Sequence, residues 1–268
     1  MSDQLRALME DAEAEGRGLL FLSPHLDDAV LSCGALLSTL GRRLPITVAT
    51  VFSAAAPPPH TRAACTYLRQ CAATGALDLY DERRREDIEV LAGLGVEHVH
   101  LGITDALFRQ RQVGRTLTRI GRVVPEVVHR YPTFRLDIDR GRVSRGDRAL
   151  LELLHHEVRT LAERIDAAVV LSPVGVGRHV DHLLTRSLGE RHRTRVHYSD
   201  FPYDRRHEPD PTYLSAHRLT RITWDEGIHR RPDLIRAYRT QADALFPTGD
   251  IPATPETYYL PPWRAAAS

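Results

Sequence analysis

Leu19-Leu20-Phe21-Leu22-Ser23-Pro24-His25-Leu26-Asp27-Asp28 is the stretch on which the reading of this chain turns. Four consecutive apolar residues suit a short strand buried on both faces, as in a parallel sheet. Ser23-Pro24 stops that strand. Asp27 or Asp28 can then open a helix, whose Val30, Leu31, Ala35, Leu36 and Leu37 keep helical spacing. A buried strand that passes through a short polar loop into a helix is the opening unit of an α/β fold.

The same alternation continues outward. Further strands are predicted over 46–52 (ITVATVF), 96–101 (VEHVHL), 167–171 (AAVVL), 195–199 and near 258–260, and helices over 3–15, 61–73, 82–94, 147–164, 180–191 and about 225–244. Consecutive prolines make AAAPPPH at 54–60 an irregular loop. An alternating segment runs from about Tyr213 to Trp224. The expected architecture is a Rossmann-like, mostly parallel sheet with helices on both faces. Residues 103–146 hold many arginines, several breakers and no firm strand, so they read as an Arg-rich insertion that packs over a site. With no internal repeat and no low-complexity linker, residues 1–268 read as a single domain.

Composition narrows the function classes. A formal net charge of +1 argues against a general nucleic-acid binder, which carries a clustered basic excess. All 36 basic residues are arginine, which a coding bias explains more simply than mechanism does. Cys33, Cys65 and Cys71 form no C-x-x-C pair, which suits a reducing compartment. The charged N-terminus lacks the apolar core of a signal peptide, and no apolar run nears the roughly 20 residues of a membrane span. A cytoplasmic location is the expectation.

Two segments carry chemistry. Ser23-Pro24-His25-Leu26-Asp27-Asp28 follows the first strand, and Gly177-Arg178-His179-Val180-Asp181-His182 follows the strand ending at Leu171. Open α/β sheets gather ligands beyond the carboxyl ends of their strands, so the two loops are placed to face each other. Imidazole and carboxylate are common zinc ligands, and a catalytic site uses three of them plus water. His25 and Asp28 share one side of a helical turn, and His182 supplies the third ligand. Asp27 is left beside the metal without binding it, where a carboxylate can take a proton from activated water. Either segment alone is more simply a helix cap or a solvated histidine. Their pairing at two strand ends favours chemistry.

These segments resemble the LmbE-like, or PIG-L, family of metal-dependent N-deacetylases, whose marks are a His-Pro-Asp-Asp-Glu type motif after the first strand and a later His-x-Asp-His or His-x-x-His. The resemblance implies an LmbE-like fold and one Zn2+ per chain on His25, Asp28 and His182, with other divalent metals compatible. It makes Asp27 the general base and His179 the histidine that assists the tetrahedral intermediate or the leaving amine. Asp181 is expected to orient a histidine from behind the ligands. Arg83 to Glu86, followed by Leu94-Gly95, is similar to the family's Arg-x-x-Glu helix. His100-Leu101-Gly102 with Asp105 is similar to the strand end that borders the substrate pocket. Tyr238-Arg239-Thr240-Gln241 matches a helix of some members.

Three positions depart from the family pattern. Leu26 replaces a proline, Ala29 stands where Glu is usual, and Gly177 takes the place of a tyrosine that some sugar deacetylases use at the oxyanion. The implied partner is a small N-acylated substrate, an amino sugar or glycosylated molecule, with neither nucleic acid nor a membrane span involved. An amidase of thiol conjugates and a catalytically silent carbohydrate-binding relative are the alternatives. A dinucleotide enzyme fits poorly because no G-x-G-x-x-G follows the first strand, and a serine hydrolase because no G-x-S-x-G is present. The arginines between Arg109 and Arg148 suit either an anionic substrate group or, more plainly, a solvated face.

Overall fold

The computed structural model describes residues 3–262. Its elements in chain order are α1 (Asp3–Ala14), β1 (Gly18–Ser23), α2 (Asp28–Leu40), β2 (Ile46–Thr50), α3 (Arg62–Gln70), α4 (Ala76–Leu94), β3 (Glu97–His100), α5 (Arg115–Gly121), α6 (Arg148–Arg164), β4 (Ala167–Pro173), α7 (Val180–Glu190), β5 (Arg195–Tyr198), α8 (Pro211–Ala216), β6 (Thr220–Trp224), α9 (Arg231–Arg236), α10 (Arg239–Leu245) and β7 (Glu256–Leu260). The seven strands form one sheet in the order β3-β2-β1-β4-β5-β7-β6. The first five are parallel, and β7 runs antiparallel to both β5 and β6. The fold is the mostly parallel, two-sided sheet that the sequence predicts.

All six residues of β1 are buried, because helices cover both faces of this central strand. Leu19 and Phe21 pack with Leu5, Met9, Val30, Leu36 and Leu91 on one face. Leu20 and Leu22 pack with Ala64, Leu154, Leu161, Val180 and Leu184 on the other. From β1 the chain moves outward through β2 to β3, then returns to lay β4 on the opposite side of β1. The strand order therefore reverses between β1 and β4, which pair with Leu20 opposite Val170. Such a switch point opens a crevice at the carboxyl edge of the sheet. Both sequence motifs leave the sheet there.

Four elements differ from the sequence reading. α4 begins at Ala76, six residues before the predicted start, since Ala76, Leu79 and Tyr80 extend its buried face toward the N-terminus. It ends as expected at Gly95, whose φ of 73° is a left-handed stop that suits glycine. Residues Tyr213–Ala216 are helical, so the alternating segment contributes a strand only from Thr220; Pro211 and the Asp210 side chain, which accepts from Thr212 and Tyr213, start a short helix there. The long helix expected over 225–244 is two short ones separated at Ala237–Tyr238. Finally, α2 is not continuous: Cys33 leaves helical geometry, with φ −131° and ψ 17°. The Glu256 carboxylate of β7 accepts from the Ala35 and Leu36 amides at 2.6 and 3.1 Å, capping the second half of the helix.

Candidate metal centre and active site

The loop after β1 is fixed by Ser23. Its hydroxyl donates to the His25 carbonyl at 2.6 Å and accepts from the Ala29 amide at 3.0 Å. Asp28 Oδ2 accepts from the His25 amide at 3.0 Å and lies 3.1 Å from His25 Nδ1. The second loop, after β4, brings His182 Nε2 to 3.3 Å from that same Asp28 oxygen. The structure thus joins three of the predicted site residues, separated by more than 150 positions in sequence, with candidate ligand atoms all within 4.8 Å of one another.

The donor set fits a cation. His182 Nδ1 faces Asp200 Oδ1 at 2.6 Å, which leaves Nε2 as the ring atom aimed at the cluster. That Nε2 is buried and has no hydrogen-bond partner. His25 Nε2 faces Asp105 Oδ2 and Asp181 Oδ2, each at 3.4 Å, which leaves Nδ1 toward Asp28. Two imidazole nitrogens and the Asp28 oxygen, which also accepts from the His25 amide, then converge on one buried point. Of the three, His182 Nε2 is left buried without a partner, which is costly, and a divalent cation satisfies it together with His25 and Asp28. His25, His179 and Asp181 also lie within 4.8 Å. In that second set the Asp181 carboxylate is already held by Arg109 at 2.6 Å and by the Ala106 amide at 2.8 Å, so the first set has the stronger claim.

Asp27 sits beside the cluster, nearly buried, with Oδ1 3.3 Å from the Arg83 guanidinium. Burial pushes its carboxyl up to about 7, although Arg83 pulls the other way, and adjacent Asp28 adds to the rise. Burial acts on Asp28 in the same sense, but His182 and His25 outweigh it and hold Asp28 below the usual carboxylate range. His179 moves well below the ordinary imidazole value, through burial and then through its neighbours His25 and His182. It caps α7, its Nδ1 accepting from the Asp181 amide at 3.3 Å. Arg83 is itself buried, donates to the Tyr67 hydroxyl at 3.0 Å, and lies over the Tyr80 ring. Asp105 accepts from Tyr80 at 2.6 Å and from the Leu107 amide at 2.8 Å, which fixes the carboxylate that faces His25.

A cavity of about 600 Å3 opens over these groups. His25, Asp27, Asp28, Arg83, Asp105 and His179 line it, as do Tyr67, Tyr203 and Gln241 from other elements. Its volume lies in the range of small-molecule sites. Arg109 does not belong to it: the guanidinium bridges Asp181 and Asp147 at 2.6 and 2.8 Å and is buried, so this arginine is neither a substrate contact nor part of a solvated face. Of the arginines between 109 and 148, Arg135 reaches the cavity wall.

Two residues were missed by sequence reasoning. Asp200 lies just beyond β5 and orients His182; its other oxygen accepts from the Gly175 and Val176 amides at 2.9 and 2.8 Å. The signal for it was an acid directly after a strand, the rule that singled out the other two loops. Tyr203 packs its ring edge-on to His182, with centroids 5.7 Å apart. It fills the space above Gly177, where an added Cβ would meet its Cβ at 3.4 Å and its ring atoms at 3.5 Å. No local signal marks Tyr203, because its role depends on a glycine 26 positions earlier.

The chain belongs to the PIG-L family: residues 20–192 match the family model described as GlcNAc-PI de-N-acetylase. Among curated proteins it is similar to 2'-N-acetylparomamine deacetylase of Streptomyces fradiae, with 32% identity over 195 residues. That match covers 70% of this chain and 58% of the relative, so the chain spans little more than half of the relative's length. Among solved structures it is similar to a deacetylase of teicoplanin biosynthesis in complex with teicoplanin, with 25% identity and a TM-score of 0.70 over 91% of this chain and 97% of that one. The A40926 pseudoaglycone deacetylase Dbv21 gives 25% identity and a TM-score of 0.67 over 93% and 98%.

Proposed function

We propose that this chain is a metal-dependent hydrolase that removes an acyl group, acetyl in the simplest case, from the amine of an amino sugar or a glycosylated small molecule. The observation that carries the reading is the convergence of His25, Asp28 and His182 at the β1/β4 switch point, with Asp27 buried beside them. The 2'-N-acetylparomamine of the Streptomyces relative, and the teicoplanin and A40926 pseudoaglycone named for the two solved structures, support the substrate class. Residues 1–268 are read as one LmbE-like domain in which 103–146 is an insertion. The free cysteines Cys33, Cys65 and Cys71 suit the cytoplasm.

His25, Asp28 and His182 would hold one divalent ion, and two imidazoles with one carboxylate suit zinc. When bound, the ion supplies Lewis acidity toward an acyl carbonyl and toward water. Asp27 accepts the proton of the attacking water, and a carboxyl near 7 is matched to that task at neutral pH. Arg83 holds the Asp27 carboxylate in place. His179, anchored through Nδ1, offers its other nitrogen to the oxyanion and the departing amine. Asp105 and Asp181 fix the His25 ring, and Asp200 fixes that of His182. Tyr203 and Gln241 form part of the wall that receives the substrate.

The test is amine release from N-acetylated amino sugars by the zinc-loaded chain and by Asp27→Asn. Loss of a positioned general base costs about 10²–10⁴-fold in turnover, so the variant should retain its metal but lose turnover by that factor. Turnover close to that of the unmodified chain would remove Asp27 from its assigned role. No amine release from any member of the class would remove the substrate reading.

A further inference from the structure

The segment between β3 and α6 carries a surface that the proposed chemistry does not use. Among the described residues, eight of the eleven exposed large hydrophobic side chains fall between Leu117 and Val143. α5 concentrates them. Leu117 and Ile120, with Val124 just beyond the helix end, follow i, i+3, i+7 spacing and so form one stripe. Arg115, Arg119 and Arg122 form a second stripe on the opposite side of the helix, and Val123 is 83% exposed. Helix α5 buries only Gly121, which lies against Val128.

Charge follows the same distribution. Residues 103–146 hold ten arginines against four acids, a local excess of six in a chain whose net charge is +1. Arg109 and Arg130 are taken up by Asp181 and Asp147. The other eight, among them Arg111, Arg115, Arg119, Arg122 and Arg135, are exposed and make no side-chain hydrogen bond or ion pair. Exposed apolar residues clustered on one segment mark a contact surface.

We propose that this surface docks on an anionic lipid membrane, with Leu117, Ile120 and Val123 entering the acyl boundary and the flanking arginines paired with headgroups. An interfacial segment has this composition, apolar on one side and Arg-rich on the other. Arginine stems lie along the apolar layer while their guanidinium groups stay at headgroup level. A second copy of the chain is the poorer occupant. A two-fold contact through this face would set six net positive charges against six. Phe134 and Arg135 belong both to this segment and to the cavity wall, so docking sets the cavity mouth at the interface.

The experiment is cosedimentation of the full chain with phosphatidylcholine vesicles and with vesicles that also contain phosphatidylglycerol, at low and high salt. The chain should sediment with the anionic vesicles alone and be released by salt. Each of Arg115→Gln, Arg119→Gln and Arg122→Gln should weaken partitioning about fivefold. The triple variant Leu117→Ser/Ile120→Ser/Val123→Ser should abolish it while leaving thermal unfolding unchanged. Failure to sediment with anionic vesicles overturns the proposal, as does unaltered sedimentation of the triple and arginine variants. A dimer in sedimentation velocity that the triple variant dissociates would assign the face to a second copy instead.

Discussion

Asp200 links two parts of the second loop through one carboxylate, since Oδ1 faces His182 Nδ1 while Oδ2 gathers the Gly175 and Val176 amides. A carboxylate behind a ligating histidine fixes its tautomer and raises its basicity, and losing such a partner typically costs about 10–100-fold in metal affinity. Asp200→Asn should therefore weaken metal binding by that factor in a competition titration, with the far-ultraviolet circular dichroism unchanged. Unaltered affinity would mean that packing alone holds the His182 ring. His25, Asp27, Asp28 and His182 were legible in sequence because each lies in a short polar motif directly after an apolar run. Asp200 stands alone after its strand, and its meaning depends on a partner 18 residues away that only the β4–β5 pairing brings near. Asp105 and Arg83 were legible only through resemblance, and the structure adds why each matters: one faces His25 and the other Asp27.

The helices show where local pattern ends and tertiary contact takes over. Apolar spacing runs unbroken through α2, yet the helix leaves its path at Cys33 because a carboxylate from the last strand takes the Ala35 and Leu36 amides. No window of sequence contains both Cys33 and Glu256. Burial pushes that carboxyl up to about 7, against the pull of the two amides and Arg231. The folded state thus holds a proton on Glu256 more tightly than the unfolded chain, whose carboxyl titrates near the ordinary value of about 4.3. The stabilisation is complete below that value and is lost as the pH rises from about 4.3 to 7. Urea unfolding of the unmodified chain should show this decline, and Glu256→Gln should flatten it, at a cost of about 1 kcal/mol for the amide left without its acceptor. An unchanged slope in the variant would assign the decline to other carboxyls. The break between α9 and α10 is similarly hidden from periodicity: Glu86 of α4 accepts from the Thr240 amide and hydroxyl and fixes where the second helix starts.

At the scale of the whole molecule, the alternation of strands and helices was enough to predict the parallel sheet, because buried β-branched and leucine-rich runs can be read locally. The reversal of strand order was not, since it depends on which edge of β1 receives β4. That reversal brings two distant loops into one His/Asp cluster. An ion held by both loops binds the folded chain in preference to the unfolded one and raises its stability by mass action. Metal at about 100 times its dissociation constant should raise the melting temperature by roughly 5–10 °C over the chelated protein. His182→Ala should abolish the difference in a thermal melt with and without chelator. An equal shift in that variant would place the stabilising ion elsewhere.

The long return from β1 through β2 and β3 to β4 also sets an order of events during synthesis. His25 and Asp28 leave the ribosome more than 150 residues ahead of His182. A nascent chain that ends anywhere before β4 holds two of the three proposed ligands and no crevice to shape them. The proposed three-ligand set is therefore complete only in a chain that extends through His182.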